Sequence, residues 1–391
     1  MGRALTPAAA ALAMLAIAAL AADTSVQGHF LVANDDTATV FPPSTVSFYA
    51  IAADGTLGGP TRVSTNGNGI AGGYFGAVRV FVAPQGPDVC VYASNAQSEN
   101  IAGIDARTRK LAGVFRGSRA DNRLARNGIG LATGGGRLYA TFSGSGNIGG
   151  FQIQHGCTLQ FVGDVHAQGL NGGLAEGMAL HGNMMVVAYG DGSIESFDIS
   201  GGMPVSNGDA QYSTGSQDDH VPDAVDITRD GHYAIFGGGS TAAAVQISDI
   251  SSGRLTPTVV YGLGTAWNSG SVRLSPDERV LYVSNSSGGR VTAAFFDKNT
   301  GKVRQGCTSS PLKGFYTKFT YIGGVATERA TGMGGLLYVP ELGTVGRSYI
   351  GVLRFAATGT GCTLTEAANS PVAGSPASGL LSIEVYPPRP F

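Results

Sequence analysis

Ser275-Pro276-Asp277-Glu278-Arg279, followed by Val280-Leu281-Tyr282-Val283-Ser284-Asn285, is the stretch whose reading decides the fold. A turn of Ser, Pro and Asp opens an apolar run that closes on Asn. The run returns as Val91-Tyr92-Ala93-Ser94-Asn95 and Phe30-Leu31-Val32-Ala33-Asn34. Weaker copies are Leu138-Tyr139-Ala140-Thr141-Phe142, Val186-Val187-Ala188-Tyr189-Gly190, Ala234-Ile235-Phe236-Gly237-Gly238 and Leu337-Tyr338-Val339-Pro340-Glu341. Their last residues fall at 34, 95, 142, 190, 238, 285 and 341, so the central steps are 47, 48, 48 and 47 residues. A period that constant marks a repeat architecture.

Around each copy lies the same punctuation: an apolar strand, a turn, the marked strand, a second turn and an alternating strand such as Arg290-Val291-Thr292-Ala293-Ala294-Phe295-Phe296. Short β-rich runs separated by turn residues form antiparallel hairpins. Three or four of them in a period of roughly 40 to 50 residues make one propeller blade. The reading is an all-β, seven-bladed β-propeller. The segment 379–387 reads as an inner strand with no marked strand after it, whereas the copy at Phe30 has no inner strand before it. The C-terminal strand is therefore expected to complete the first blade and remove the exposed edges of an open array.

Among 391 residues, 61 are Gly and only 13% are charged, which suits many tight turns. A net charge near −2 leaves no basic footprint for nucleic acid. The repeat runs without a linker, so residues 22–391 read as one domain, expected to be a monomer. Arg3 and the apolar run Ala8 to Ala22, with Ala19-Leu20-Ala21 before the polar Asp23, read as a signal peptide over 1–21. The run is shorter than a membrane span of about 20 residues. No Cys sits at the cleavage site, against a lipoprotein. An uncleaved anchor is the alternative to a protein exported to the periplasm or outside the cell.

Export makes Cys90, Cys157, Cys307 and Cys362 candidates for disulfides. Four cysteines allow three pairings, and buried free thiols remain the alternative. Their spacings fit no zinc or CxxC pattern. No GxSxG elbow, HExxH helix or phosphate loop occurs. Residues 67–72 and 144–149 fit GxGxxG but lead into strand or loop rather than a helix N-terminus, so they read as turns.

The repeat resembles the exported propellers with YVTN-type repeats and the propeller lactonase family of phosphogluconolactonase-like enzymes. The 275–285 stretch is similar to that family's Ser-Pro-Asp-Gly-Arg-Phe-Leu-Tyr-Val-x-Asn unit, and Ala188-Tyr189-Gly190-Asp191-Gly192-Ser193-Ile194 to its Asn-Tyr-Gly-x-Gly-Ser-Val segment. The resemblance implies His-Pro-His, Arg-His and Glu groups over the central channel. Here Val221-Pro222-Asp223, Gly270-Ser271 and Ser286 stand at those positions. Lactone hydrolysis needs a base or metal for water and a donor for the oxyanion, and the inherited set has departed.

Other side chains are expected at the channel mouth, on loops entering the inner strands: Tyr74 and Phe75, His166, Asp218, Asp219, His220 and Asp223, Trp267 and Asn268, and Tyr316. Aromatic faces beside carboxylates and amides suit a glycan or peptide; the alternative is that the rings cap the blades. Asp218, Asp219, His220 and Asp223 form the densest ionisable cluster, with Glu176 expected on the preceding inner strand. Oxygen ligands at that spacing suit calcium, though no cofactor is required, and His220, Asp223 and Glu176 are the catalytic candidates if water is activated. A solvated acidic loop is the plainer reading. Two functions follow: a non-catalytic module binding a glycan, peptide or envelope protein, or a lactone hydrolase with relocated catalytic residues.

Overall fold

Alternating apolar strands cut by Gly, Asn and Asp turns fold here into seven antiparallel sheets. The computed structural model describes residues 28–36, 43–70, 78–117, 130–142, 144–214, 224–238, 244–264, 269–285, 288–314, 321–322, 326–328, 334–342, 348–359, 361–374 and 379–387. The segment 1–21 and the Ser286 position lie outside these residues.

Blade I consists of Gly379–Tyr386, Phe30–Asp36, Thr45–Ala50 and Thr61–Ser64, from the channel outward. Blades II to VI follow in chain order, with inner strands Val80–Gln85, Leu131–Gly134, Ala175–His181, Ala224–Ile227 and Ser269–Leu274. Blade VII is built on Gly334–Leu342, paired inward with Tyr321–Ile322 and Ala326–Glu328 and outward with Ser348–Thr358. The expected closure is present: Phe30 pairs with Tyr386 and Asp36 with Gly379, with a register shift at Asn34/Asp35. The C-terminal strand and the first marked strand thus share one sheet.

The cores lie between blades. Each of seven buried clusters combines side chains of two neighbours, from Val32 and Val91 at I/II to Tyr338 and Leu31 at VII/I. Each sheet therefore buries both faces, which is why the marked strands are continuous apolar runs. The marked Asn is structural: Asn95 donates to Asn100 Oδ1 at 2.8 Å and accepts from Thr65 Oγ1 at 2.7 Å, and Asn285 donates to Thr292 Oγ1 at 2.8 Å. Buried amides paired in this way tie the end of one strand to the next strand or blade.

All four cysteines are paired, Cys90 with Cys157 and Cys307 with Cys362. The bridges join blade II to III and blade VI to VII. Both GxGxxG matches behave as turns where described: Gly69 lies against the Asp36 carboxylate, where a Cβ would fall 1.0 Å from Oδ1, and Gly146 precedes the strand Asn147–Gln154. Among the described residues the only helical element is the single 3-10 turn His155–Cys157.

Candidate functional site

The first strands of the blades form the channel wall, and several carry one ionisable residue between apolar neighbours. Glu176 follows Ala175, Asp226 lies between Val225 and Ile227, Arg273 between Val272 and Leu274, and Glu384 between Ile383 and Val385. Arg273 Nη2 meets Glu384 Oε2 at 2.8 Å. Since Arg273 is on blade VI and Glu384 on blade I, this pair passes the inner edge of blade VII. Burial alone lowers the Arg273 pKa, but the Glu384 and Asp226 carboxylates outweigh it and raise the value. Asp226 accepts the Leu274 amide at 2.8 Å and the Ile227 amide at 2.9 Å. It clips blade V to blade VI.

At the ends of the marked strands a second set is buried. Arg79, fully buried, binds Asp36 Oδ2 at 2.7 Å, and Ser382 Oγ accepts the Arg79 amide at 3.0 Å. Asp35 beside them is raised to about 6 by burial, against hydrogen bonds from Ser47 and Thr45. Glu341 stands where Asn285 and Asn95 stand in their blades. It is raised to about 8, by burial first and the Glu366 charge second, while the Gly314 amide lowers it. Among the described residues, neither of its oxygens has a hydrogen bond of ordinary geometry. Its carboxyl packs against Gly314 and Gly351, where a Cβ would fall 2.4 and 2.5 Å from its oxygens.

Of the side chains singled out by sequence, Glu176 lies buried on the inner strand of blade IV, as expected. His166 is at the end of the outermost strand of blade III, exposed, with Nδ1 3.2 Å from Asn147 Oδ1. The structure therefore puts these two at opposite edges of successive sheets. Tyr74, Phe75, Asp218, Asp219, His220, Asp223, Trp267, Asn268 and Tyr316 lie outside the described residues. The calcium reading rests on the same segment; among the described residues no three His, Cys, Asp or Glu side chains are grouped to hold a metal. Sequence reasoning missed Arg273, Glu384 and Asp226, although a lone charge flanked by apolar residues in an inner strand was a usable signal.

Chemically, Arg273 and Glu384 on the described wall match one another's charge. The guanidinium of Arg273 is spent on a carboxylate, and Asp226 is spent on backbone amides. Glu341 is buried, its pKa raised, with its carboxyl against Gly314 and Gly351.

No family model matches the chain, and no curated protein matches it in sequence. Solved structures match in fold. A candidate 6-phosphogluconolactonase of Bacteroides fragilis superposes with a TM-score of 0.64 at 14% identity, covering 92% of this chain and 99% of its own. A protein of unknown function from Desulfotomaculum acetoxidans gives 0.62 at 13% identity, covering 91% and 98%. The Pseudomonas aeruginosa periplasmic gluconolactonase PpgL gives 0.52 at 15%, covering 71% and 81%. The chain thus has the seven-bladed fold of lactonase-like propellers.

Proposed function

We propose that this chain is an exported, non-catalytic propeller that binds a glycan, a peptide or another envelope protein through the loops at its channel mouth. The observation that carries this reading is the Arg273–Glu384 pair, 2.8 Å across the inner wall. It engages a cation of that wall that could otherwise stabilise an oxyanion. Export is supported by the Ala8 to Ala22 run, by two disulfides of the kind that persist in oxidising compartments, and by the fold likeness to a periplasmic gluconolactonase. Among the described residues no helix is long and apolar enough to cross a membrane.

Thermal unfolding of the chain from Asp23 onward, with a panel of glycans and peptides, tests this reading. A true ligand at about 100 times its Kd stabilises by about 2.7 kcal/mol. The Trp267→Ala variant is expected to lose that shift. No shift with any ligand, together with turnover of a lactone, rejects the proposal. The second reading, a lactone hydrolase using His220, Asp223 and Glu176, draws support from Glu176, a carboxylate buried on the inner strand of blade IV. Retained turnover after removal of all three side chains eliminates that assignment.

A further inference from the structure

The turns joining first to second and third to fourth strands gather on the face opposite the ends of the marked strands. Between blades IV and V they enclose an open cleft of about 520 Å³. Its shape follows from the outer edge of blade IV, where the fourth strand is two short pieces, Val205–Ser206 and Gln211–Tyr212. Between these pieces, Asn207-Gly208-Asp209 grips the neighbouring turn of blade V. Arg254 Nη2 donates to the Asn207 carbonyl at 2.6 Å and the Asp209 carboxylate accepts the Leu255 amide at 2.8 Å. One edge of the guanidinium is fixed in this way, and among the described residues its Nε and Nη1 have no partner.

Across the cleft, His181 rests on Gly231, where a Cβ would fall 2.4 Å from ring Cδ2. The close approach and the φ of +71° both require glycine there. Neither imidazole nitrogen makes a hydrogen bond among the described residues. The floor is apolar, from Met184, Phe197 and Ile250, and the walls add Asn183, Asp198 and Asn207.

The equivalent cleft between blades V and VI is about 250 Å³ and is lined by Arg229, Asp230, Asp277, Glu278 and Lys298. There the chain answers its own charges: the Arg229 amide donates to Glu278 Oε1 at 2.5 Å and its Nη2 to the Pro276 carbonyl at 2.7 Å. In the IV/V cleft, twice as large, Asn207 Nδ2 donates to Ser196 Oγ and the Gly253 carbonyl and Asp198 accepts from Ser200, so its open donors are the free edge of Arg254 and the His181 ring.

We propose that the IV/V cleft binds a small acidic saccharide, its carboxylate held by Arg254 and His181 and its hydroxyls by Asn183, Asp198 and Asn207. A guanidinium fork and an imidazole N–H match a carboxylate. Asp198 accepts hydroxyls but repels a purely anionic ligand such as inorganic phosphate. The Met184 floor supports the C–H face of a sugar ring, and a cleft of this size holds about one or two rings.

Titration calorimetry with D-glucuronate, with D-glucose and acetate as controls, tests the proposal. Glucuronate is expected to saturate the wild-type protein at least about tenfold more tightly than either control. Arg254→Gln is expected to lose roughly ten- to hundredfold in affinity, and His181→Asn a smaller factor. Arg254 is exposed and His181 partly so, so unchanged unfolding midpoints will show that the variants fold. Lys298→Gln, in the equivalent V/VI cleft, is expected to bind glucuronate normally, which separates the two clefts. Absent saturation, equal affinity for glucose, unaltered affinity in Arg254→Gln, or loss of binding in Lys298→Gln overturns the proposal.

Discussion

Blade junctions III/IV and II/III use the same motif residue in different ways. At III/IV the marked tyrosine, Tyr139, donates to the carbonyl of Gly202 in a turn of the next blade at 2.9 Å, and Tyr338 does the same to Gly55 at VII/I, at 3.0 Å. Both acceptor glycines have positive φ, +90° and +86°, so the turn brings its carbonyl within reach. At II/III and VI/VII the equivalent Tyr92 and Tyr282 are fully buried and their hydroxyls have no partner among the described residues. Burial pushes both pKa values up. These are the two junctions that carry disulfides, Cys90–Cys157 and Cys307–Cys362. Junction I/II uses a third device, the buried Arg79–Asp36 pair. A repeated residue therefore does not imply a repeated energy: where the hydrogen bond is missing, a covalent link holds the neighbours.

The sharpest break of this comparison is Arg79→Met. It strands the Asp36 carboxylate at junction I/II and is expected to cost about 3–5 kcal/mol in denaturant unfolding. A loss under about 1 kcal/mol would show that the pair contributes little beyond packing. Next comes removal of Cys90 and Cys157 together. The bridge spans 67 residues, and its loss is expected to cost about 2–4 kcal/mol and to abolish the effect of reductant on that junction.

Glu341 extends the comparison to the ends of the marked strands, where Asn95 and Asn285 are hydrogen-bonded and Glu341 makes no hydrogen bond of ordinary geometry among the described residues. Folded, it keeps its proton to about pH 8, whereas the unfolded chain releases it near 4.5. Its contribution is intact below 4.5 and is lost as pH rises toward 8. Glu341→Gln should flatten that slope and stabilise the protein at pH 7 by on the order of 2–3 kcal/mol. Equal pH dependence in variant and wild type would place the ionised form in the fold. The smallest effect separates the tyrosines: Tyr139→Phe is expected to cost about 1 kcal/mol and Tyr92→Phe within about 0.5 kcal/mol of nothing. Equal losses would erase the distinction between the junctions.

The architecture was legible because propeller strands are local and their spacing is nearly constant. The seven marks, the single closed ring and the role of 379–387 all follow from periodicity. Glu176 on an inner strand was legible for the same reason. Partners across blades were not. Nothing near Cys90 points to Cys157 in the following blade, and nothing near Arg273 points to Glu384, 111 residues away. Those contacts depend on how consecutive sheets pack, which a pattern within one repeat does not encode. His166 shows the same limit: its place in the sequence between blades suits a mouth loop, yet it ends the outer strand and binds Asn147 at the rim. Glu278 shows it again, since it occupies a turn position with a φ of +59° that favours glycine, and its side chain reaches into the neighbouring blade to accept the Arg229 amide.

The most direct test of the binding account is proton release from a panel of sugar, phosphosugar and acyl-homoserine lactones by the folded chain from Asp23 onward, with and without calcium or a chelator. The account predicts no enzyme-dependent rate above the spontaneous hydrolysis of each lactone. Saturable turnover that disappears in His220→Ala would contradict it and assign the chain the chemistry of its lactonase-like fold.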